Sequence, residues 1–235
     1  MSAFLQAVVS GLVTGSIYAV MTVGMTLIYG TLRTLNMTQG AMVMIGGYVA
    51  WMVFDGLGWG PILGGVAAAV VGFAFGVAIQ QAAIRPLIGR RGVDFEMTAF
   101  ISTFAVAIVL SNVALRIYGA RSKAVPPVIH GRLHLLEGIS VSWHSVVVAG
   151  IAVGTLLALG AFLSKTRYGL AISAVAQQLD AARLMGIPAQ RVYNVTMGVS
   201  SALAAIAGVL LASIFFVSPN AGDLPLLKAL IVAIF

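Results

Sequence analysis

Long runs free of Asp, Glu, Lys and Arg constrain this chain more than any other feature. Phe4–Tyr29, Pro61–Ile84 and Trp143–Leu163 are three of them. A helix of about 20 apolar residues crosses the hydrocarbon layer, so windows of this length decide the class before any motif does. Backbone N–H and C=O groups inside lipid must be satisfied by the segment itself or by a closed barrel. None of these windows alternates with period two, which favours helices over a barrel. Composition agrees: 60% of the 235 residues are hydrophobic and 8% are charged, against roughly 25% charged in soluble domains. The expected fold class is all-α, a polytopic transmembrane helical bundle.

The windows place spans at 4–29, 37–54, 61–84, 97–115, 143–163 and 192–217. A seventh opens at Leu224 and stops at Phe235, too short to cross at about 1.5 Å per residue, which suggests that this single transmembrane domain, 1–235, is truncated at its C-terminal end. Met1-Ser-Ala-Phe4 lacks a basic region, so the first window is read as a retained span and not as a signal peptide. The net charge of +7 and pI near 10.3 would suggest nucleic acid in a soluble protein. Here the basic residues sit in short loops and act as topology signals, with no nucleic-acid partner expected. Arg33, Arg85, Arg90, Arg91, Lys165, Arg167, Arg183 and Arg191 fall on one side, and Arg116, Arg121, Lys123 and Arg132 on the other. The richer side is expected to be cytoplasmic, which puts the N-terminus and the loop Arg116–Ser142 outside. That loop, with Pro126, Pro127, His130 and His134, is expected to form a small cap. Cysteine is absent, so disulfides and thiolate chemistry are excluded.

Residues 165–190, between spans five and six, are too polar to cross and too regular for a linker. Leu170, Ile172, Val175, Leu179 and Ala182 recur at near-helical spacing, with Ser173, Gln177, Gln178, Asp180 and Arg183 elsewhere. This predicts a surface helix, one amphiphilic rod from Tyr168 to Met185. Gly186 followed by Pro188 is a stop signal, since glycine accepts a left-handed cap and proline cannot continue the ladder. Such a helix seats in a groove on a soluble partner or lies on lipid, and the pattern leaves both open.

Asp180-Ala-Ala-Arg-Leu-Met-Gly186-Ile187 resembles the EAA loop of ABC-importer permeases, with aspartate in place of glutamate. The pattern's later isoleucine and leucine-proline pair are not met, since Thr196, Gly198 and Val199 stand there, a departure that points to a particular subfamily. The wider stretch Thr166–Ile187 is similar to branched-chain amino acid permeases of the LivH type, as is Leu27–Asn36. Met37-Thr-Gln-Gly40 stands where that family usually has Phe-Ala-His-Gly. The likeness covers nearly the whole chain in order. It implies a multi-pass protein of the bacterial inner membrane, a second related permease of the LivM kind, two cytoplasmic ATPase subunits and a periplasmic substrate-binding protein. It also implies that Asp180, Ala181, Ala182, Arg183, Gly186 and Ile187 transmit ATPase movement to the spans. ATP would be used by the partners, with no cofactor bound by this chain. The family's range leaves branched-chain amino acids, urea and other amides open as cargo.

Nothing in the residues suits catalysis. No GxxxxGK[ST] phosphate loop is present. Ser16, Ser111, Ser200 and Ser201 lie within windows, but no histidine is deeper than His144 at the edge of its own, which argues against an intramembrane serine protease. His130 and His134 have i, i+4 spacing near Glu137, yet read as solvated loop residues and not as a metal site. Asn36-Met-Thr-Gln39 has the form of a capping box. A compatible reading makes Asn36, Thr38, Gln39 and Gly40 part of a translocation path, together with Asn112 and Asn194. Gln80, Asn112 and Asn194 are polar groups inside windows and read first as packing contacts between helices. Lys228, four residues into the seventh window, is expected to snorkel outward and is given no substrate contact. A stand-alone secondary transporter or channel would need ion-coordinating groups in the bilayer, and no acidic residue lies deep in the first six windows.

Overall fold

The computed structural model describes residues 2–58, 61–89, 94–125, 132–136 and 139–234. In chain order these form α1 (Ser2–Leu32), α2 (Thr38–Leu57), α3 (Pro61–Ile79), α4 (Phe95–Tyr118), β1 (Lys123–Ala124), β2 (Arg132–Leu136), β3 (Ile139–Ser142), α5 (Trp143–Lys165), α6 (Arg167–Gln177), α7 (Leu179–Leu184), α8 (Ala189–Ile214), β4 (Phe216–Val217) and α9 (Asp223–Ile234). The polytopic helical bundle expected from the apolar windows is therefore the architecture observed. Five helices among the described residues are long and apolar enough to cross a membrane: Gln6–Leu32, Ile62–Leu87, Phe95–Tyr118, Trp143–Lys165 and Ala189–Ile214. α2 is not one of these five, although its 20 residues extend about 30 Å.

Two antiparallel ribbons qualify the all-α expectation. β2 pairs with β3 as a hairpin within the loop expected to form a cap, and β1 pairs with β4. The second pairing clasps the end of α4 to the end of α8. At this end Tyr48 stacks on Tyr118 with ring centroids 4.2 Å apart, and Lys123 sits 4.7 Å from the centre of the Trp51 ring. Pro126, Pro127, His130 and Glu137 of the loop, and Arg90 and Arg91 of the basic turn, lie outside the described residues.

The helices are not equivalent in depth. In α8, 67% of the most apolar window is buried, against 17% in α4 and α5. α8 is the axis of the bundle, and small residues let its neighbours reach it. A side chain at Gly208 would collide with the Val43 carbonyl of α2, and one at Gly46 with the Ala205 carbonyl of α8. On another face, Gly76 of α3 lies against Met197 and Ser201. The peripheral α4 turns Ile101, Phe104, Ile108 and Leu115 outward, a stripe at helical spacing suited to lipid or to another subunit.

α3 does not end cleanly. Its last turns loosen into a π-helical segment, Gln80–Ile84, in which the Arg85 N–H reaches back five residues to the Gln80 carbonyl, and then a 3₁₀ turn, Arg85–Leu87. Pro86 supplies the cause, because it has no N–H to continue the α ladder. Ser102 of α4 donates to the Ala83 carbonyl at 3.1 Å, which gives this loosened turn a polar anchor.

Between α1 and α2 the chain re-enters the bundle. Arg33, at φ 56°, occupies the left-handed region uncommon outside glycine and reverses the chain. Six residues later Gln39 is bonded to Ser200, which lies about 16 Å along α8 from Ala189. The Met37 N–H meets Thr103 Oγ1 at 3.3 Å, and Thr103 lies about 12 Å along α4 from Phe95. The sequence read here as a short turn followed by a span from residue 37. In the structure α2 starts inside the bundle, because the polar Asn36-Met-Thr-Gln segment finds its partners there.

Candidate functional site

The segment read as a single rod is two helices. Gln178 is extended, with φ −153° and ψ 106°, and separates α6 from α7. Thr166 caps α6: its Oγ1 accepts from the Gly169 N–H at 3.0 Å and donates to the Phe162 carbonyl at 2.7 Å. Gly169 is buried against the Phe162 and Leu163 backbone, which sets α6 hard on the end of α5. Ile172, Val175 and Ala182 face inward as their spacing predicts. Leu170 does not: it is exposed, because two residues along one helix place it on the face opposite Ile172.

α7 ends as the Gly186-Pro188 pair predicts. Gly186, at φ 81°, donates to the Arg183 carbonyl at 3.0 Å, and the Ile187 N–H to the Ala182 carbonyl at 3.1 Å. These two bonds make a Schellman cap. Of the six residues singled out, Ala182 is buried, Ile187 half-buried, and Asp180, Ala181, Arg183 and Gly186 exposed. Asp180 and Arg183 pair at 3.7 Å on this exposed surface, where solvent leaves such a bond little energy. Leu184 and Met185 are 89% and 83% exposed, a protruding apolar tip that the sequence reading passed over. Behind it a cleft of about 360 Å³ runs between Arg33, Gly89, Phe95, Val175, Arg183 and Tyr193. Arg33, the turn after Leu87 and the α7 segment thus gather at one end of the bundle, opposite the hairpin, as the alternation of basic loops requires.

The second group of candidates separates. Asn36 Oδ1 accepts from the Thr38 N–H at 3.0 Å and from Thr38 Oγ1 at 2.6 Å. The capping box expected over Asn36–Gln39 is not formed, since Met37 holds the N-cap position of α2 with no side-chain cap bond. Gln39, fully buried, turns away from Asn36 and donates from Nε2 to the Ser200 carbonyl at 3.1 Å and to Ser200 Oγ at 3.0 Å. Ser200 Oγ in turn donates to the Gly24 carbonyl at 2.5 Å, which joins α1, α2 and α8 through one hydroxyl. Gly40 lies against Gly222, where α9 begins. Asn112 is apart from all of these, exposed on α4 with Nδ2 on its own helix at the Ile108 carbonyl.

Gln80 is fully buried, and neither end of its amide has a partner among the described residues. Gly72 against Ala205 and Gly76 against Met197 set α3 antiparallel on α8, a register that carries Gln80 to the level of Asn194 and Thr196. Asn194 Oδ1, Thr196 Oγ1 and Ser201 Oγ are likewise buried without a partner among the described residues. Gln80 packs between helices as expected, but these atoms of Gln80 and Asn194 add no hydrogen bond to that packing among the described residues. A seam of unsatisfied polar groups in lipid-embedded protein is costly and marks functional positions by default. Its loosest point is the π-helical turn that begins at Gln80, a distortion frequent at functional sites. His144 lies elsewhere, its Nε2 donating to the Ser213 carbonyl at 3.0 Å near the hairpin end.

One hydroxyl gives a direct test of the Gln39 junction. In Ser200→Ala the two bonds of the hydroxyl, to the Gly24 carbonyl and from Gln39 Nε2, are lost together, while Gln39 keeps its bond to the Ser200 carbonyl. We expect a loss of about 1 kcal/mol, in line with polar links inside membranes, seen as a fall in Tm of about 2–4 °C for a chain of this size in detergent-solubilised protein.

Taken together, long apolar helices around a buried axis, polar groups held inside and an exposed apolar tip at one end define a multi-pass helical membrane protein with the anatomy of a transport permease. The chain belongs to the branched-chain amino acid transport system permease component family, whose model matches residues 7–235. It is 31% identical to the high-affinity branched-chain amino acid transport system permease protein LivH of Escherichia coli K12, over 98% of this chain and 78% of that protein. It is 30% identical to the BraD permease protein of Pseudomonas aeruginosa, a high-affinity branched-chain amino acid system, over the same shares. A probable LivH of Methanocaldococcus jannaschii is 28% identical over 89% of this chain and 66% of its own length. No solved structure matches.

Proposed function

We propose that this chain is the membrane-spanning subunit of an ATP-binding-cassette importer, moving branched-chain amino acids across the bacterial inner membrane by alternating access. Separate ATPase subunits drive it, a second related permease completes the pathway, and an external binding protein delivers the cargo. The reading rests on family membership and on one observation above others: the tip formed by Leu184 and Met185, apolar and almost wholly exposed at the end of the bundle that carries most of the basic residues. A tip of this kind suits a hydrophobic groove on a soluble partner. By the distribution of basic loops that end is cytoplasmic, and the N-terminus is periplasmic. In this arrangement Asp180, Ala181, Ala182, Arg183, Gly186 and Ile187 carry the ATPase movement, and Asn36, Thr38, Gln39, Gly40 and Asn194 border the path. Asn112 on the outer face of α4 would reach the path only through the second permease. The cargo class follows the relatives' names, with urea and other amides as the alternative.

The docking half of the proposal is tested by Leu184→Glu combined with Met185→Glu. Both side chains are too exposed to support the fold, so the variant should reach the membrane at normal levels. Its ATPase subunits should no longer co-purify in detergent. Retention of a full complement of ATPase would remove the basis for assigning this surface to docking.

A further inference from the structure

Lys228 is exposed, as its place in the window suggests, and it makes a contact that the sequence does not disclose. Its Nζ lies 4.8 Å from the centre of the Tyr18 ring and 3.5 Å from the Tyr18 hydroxyl. Tyr18 stands next to the midpoint of the Gln6–Leu32 span, so the ammonium, exposed to the open cleft beside it, sits at that level of α1. Among the described residues the one ion pair is Arg183–Asp180, and Lys228 has no carboxylate partner. A cation at such depth without a counter-charge is rare and marks a substrate route by default. It also has a cavity to serve. Lys228 and Tyr18 line a cleft of about 420 Å³ with Val43, Met44, Leu211 and Asn220, within the range of small-molecule sites that are mostly apolar with a few placed polar groups. The cleft opens between α1, α2, the end of α8 and the start of α9, toward the hairpin end.

We infer that this cleft is a binding site for the amino acid in transit, with the Lys228 ammonium holding its α-carboxylate. The aliphatic side chain lies along Val43, Met44 and Leu211, and the side-chain oxygen of Asn220 offers an acceptor to the α-ammonium. Tyr18 positions the lysine by its ring face and hydroxyl. A single charge contact in an otherwise apolar cleft orients a zwitterion without holding it tightly, which release to the other side requires. The inference rests on the importer reading and adds to it the chemical group that this subunit recognises.

The experiment uses the whole complex, with binding protein and ATPases, in liposomes. In Lys228→Met, which keeps length and removes charge, leucine uptake should fall by about tenfold or more, the equivalent of one lost charge-assisted hydrogen bond. Lys228→Arg should recover most of it, and ATP hydrolysis stimulated by the loaded binding protein should persist in both. A second measurement avoids altering the lysine. The chain has no cysteine, so Leu224→Cys, in the same cleft wall and exposed, gives a single thiol for a methanethiosulfonate reagent. Leucine should slow its labelling and leucinol, which lacks the carboxylate, should not. Uptake by Lys228→Met equal to that of the parent complex would overturn the inference while leaving the importer reading intact. So would equal labelling with and without leucine, including the case where Lys228→Met fails to assemble because the lysine pairs with the second permease. Absence of ATP-dependent leucine uptake by the parent complex would overturn both.

Discussion

With ATPase subunits as the proposed drive, Gly186→Val should leave the protein in the membrane and ATP hydrolysis intact, yet cut transport per ATP hydrolysed by tenfold or more. The reason is local. Gly186 has φ 81°, and a β-branched side chain there costs about 1–2 kcal/mol. The two cap bonds, Gly186 N–H to Arg183 and Ile187 N–H to Ala182, are each worth about 0.5–1.5 kcal/mol. α7 has six residues and Ala182 as its buried contact, so it has little packing energy to resist that strain. The cap should open and α7 should lose its fixed relation to α8. No atom crowds the position, since a Cβ at Gly186 meets nothing within 4 Å. Gly186→Asn, which tolerates the left-handed region, should therefore stay close to the parent, and Gly186→Ala should fall between. Transport and hydrolysis measured in the same proteoliposomes decide it. Parent-level coupling in Gly186→Val would remove α7 from the transmission.

Gly208→Val should have the opposite signature, loss of the protein itself. A side chain at Gly208 falls on the Val43 carbonyl, which belongs to the backbone of α2 and has no rotamer to escape into. α2 and α8 would have to separate, undoing the reciprocal approach of Gly46 to Ala205. Overpacking typically costs 1–3 kcal/mol, and about that or more is expected where helix backbone must move. Little monodisperse protein should be recovered from detergent. Gly150→Val is the control, since its site on α5 is open. A Gly208→Val protein with the parent's melting temperature would mean that α2 and α8 do not meet in this way.

These two glycines mark what the sequence discloses and what it withholds. Gly186 was legible because its signal is local, a glycine two residues before a proline at the end of an amphiphilic run. The five long apolar helices were legible for the same reason, since lipid imposes its length on each helix separately, whereas the start of α2 inside the bundle was not. Gly208 was one small residue among many in apolar windows, and nothing nearby in sequence indicates that Val43 lies against it. Gln39 misled in the same manner. Its spacing from Asn36 fits a capping box, but Ser200, 161 residues away, gives its amide a buried partner that local spacing cannot reveal. The break at Gln178 was hidden because an amphiphilic pattern survives one extended residue. The contact of Lys228 with Tyr18 was not legible, because only the packing of α9 against α1 brings the two residues together.

The glycine-lined contacts of α8 have a mechanical consequence. Where two helices meet through long side chains, a small push is absorbed by rotamers; where they meet backbone to backbone, it is not. α8 begins directly after the Gly186-Pro188 corner and touches α2 and α3 through such contacts, with α1 joined to it at Ser200. A displacement delivered at Pro188 thus has no soft layer in which to dissipate. It reaches those three neighbours nearly undiminished, as a crankshaft moves every rod bolted to it.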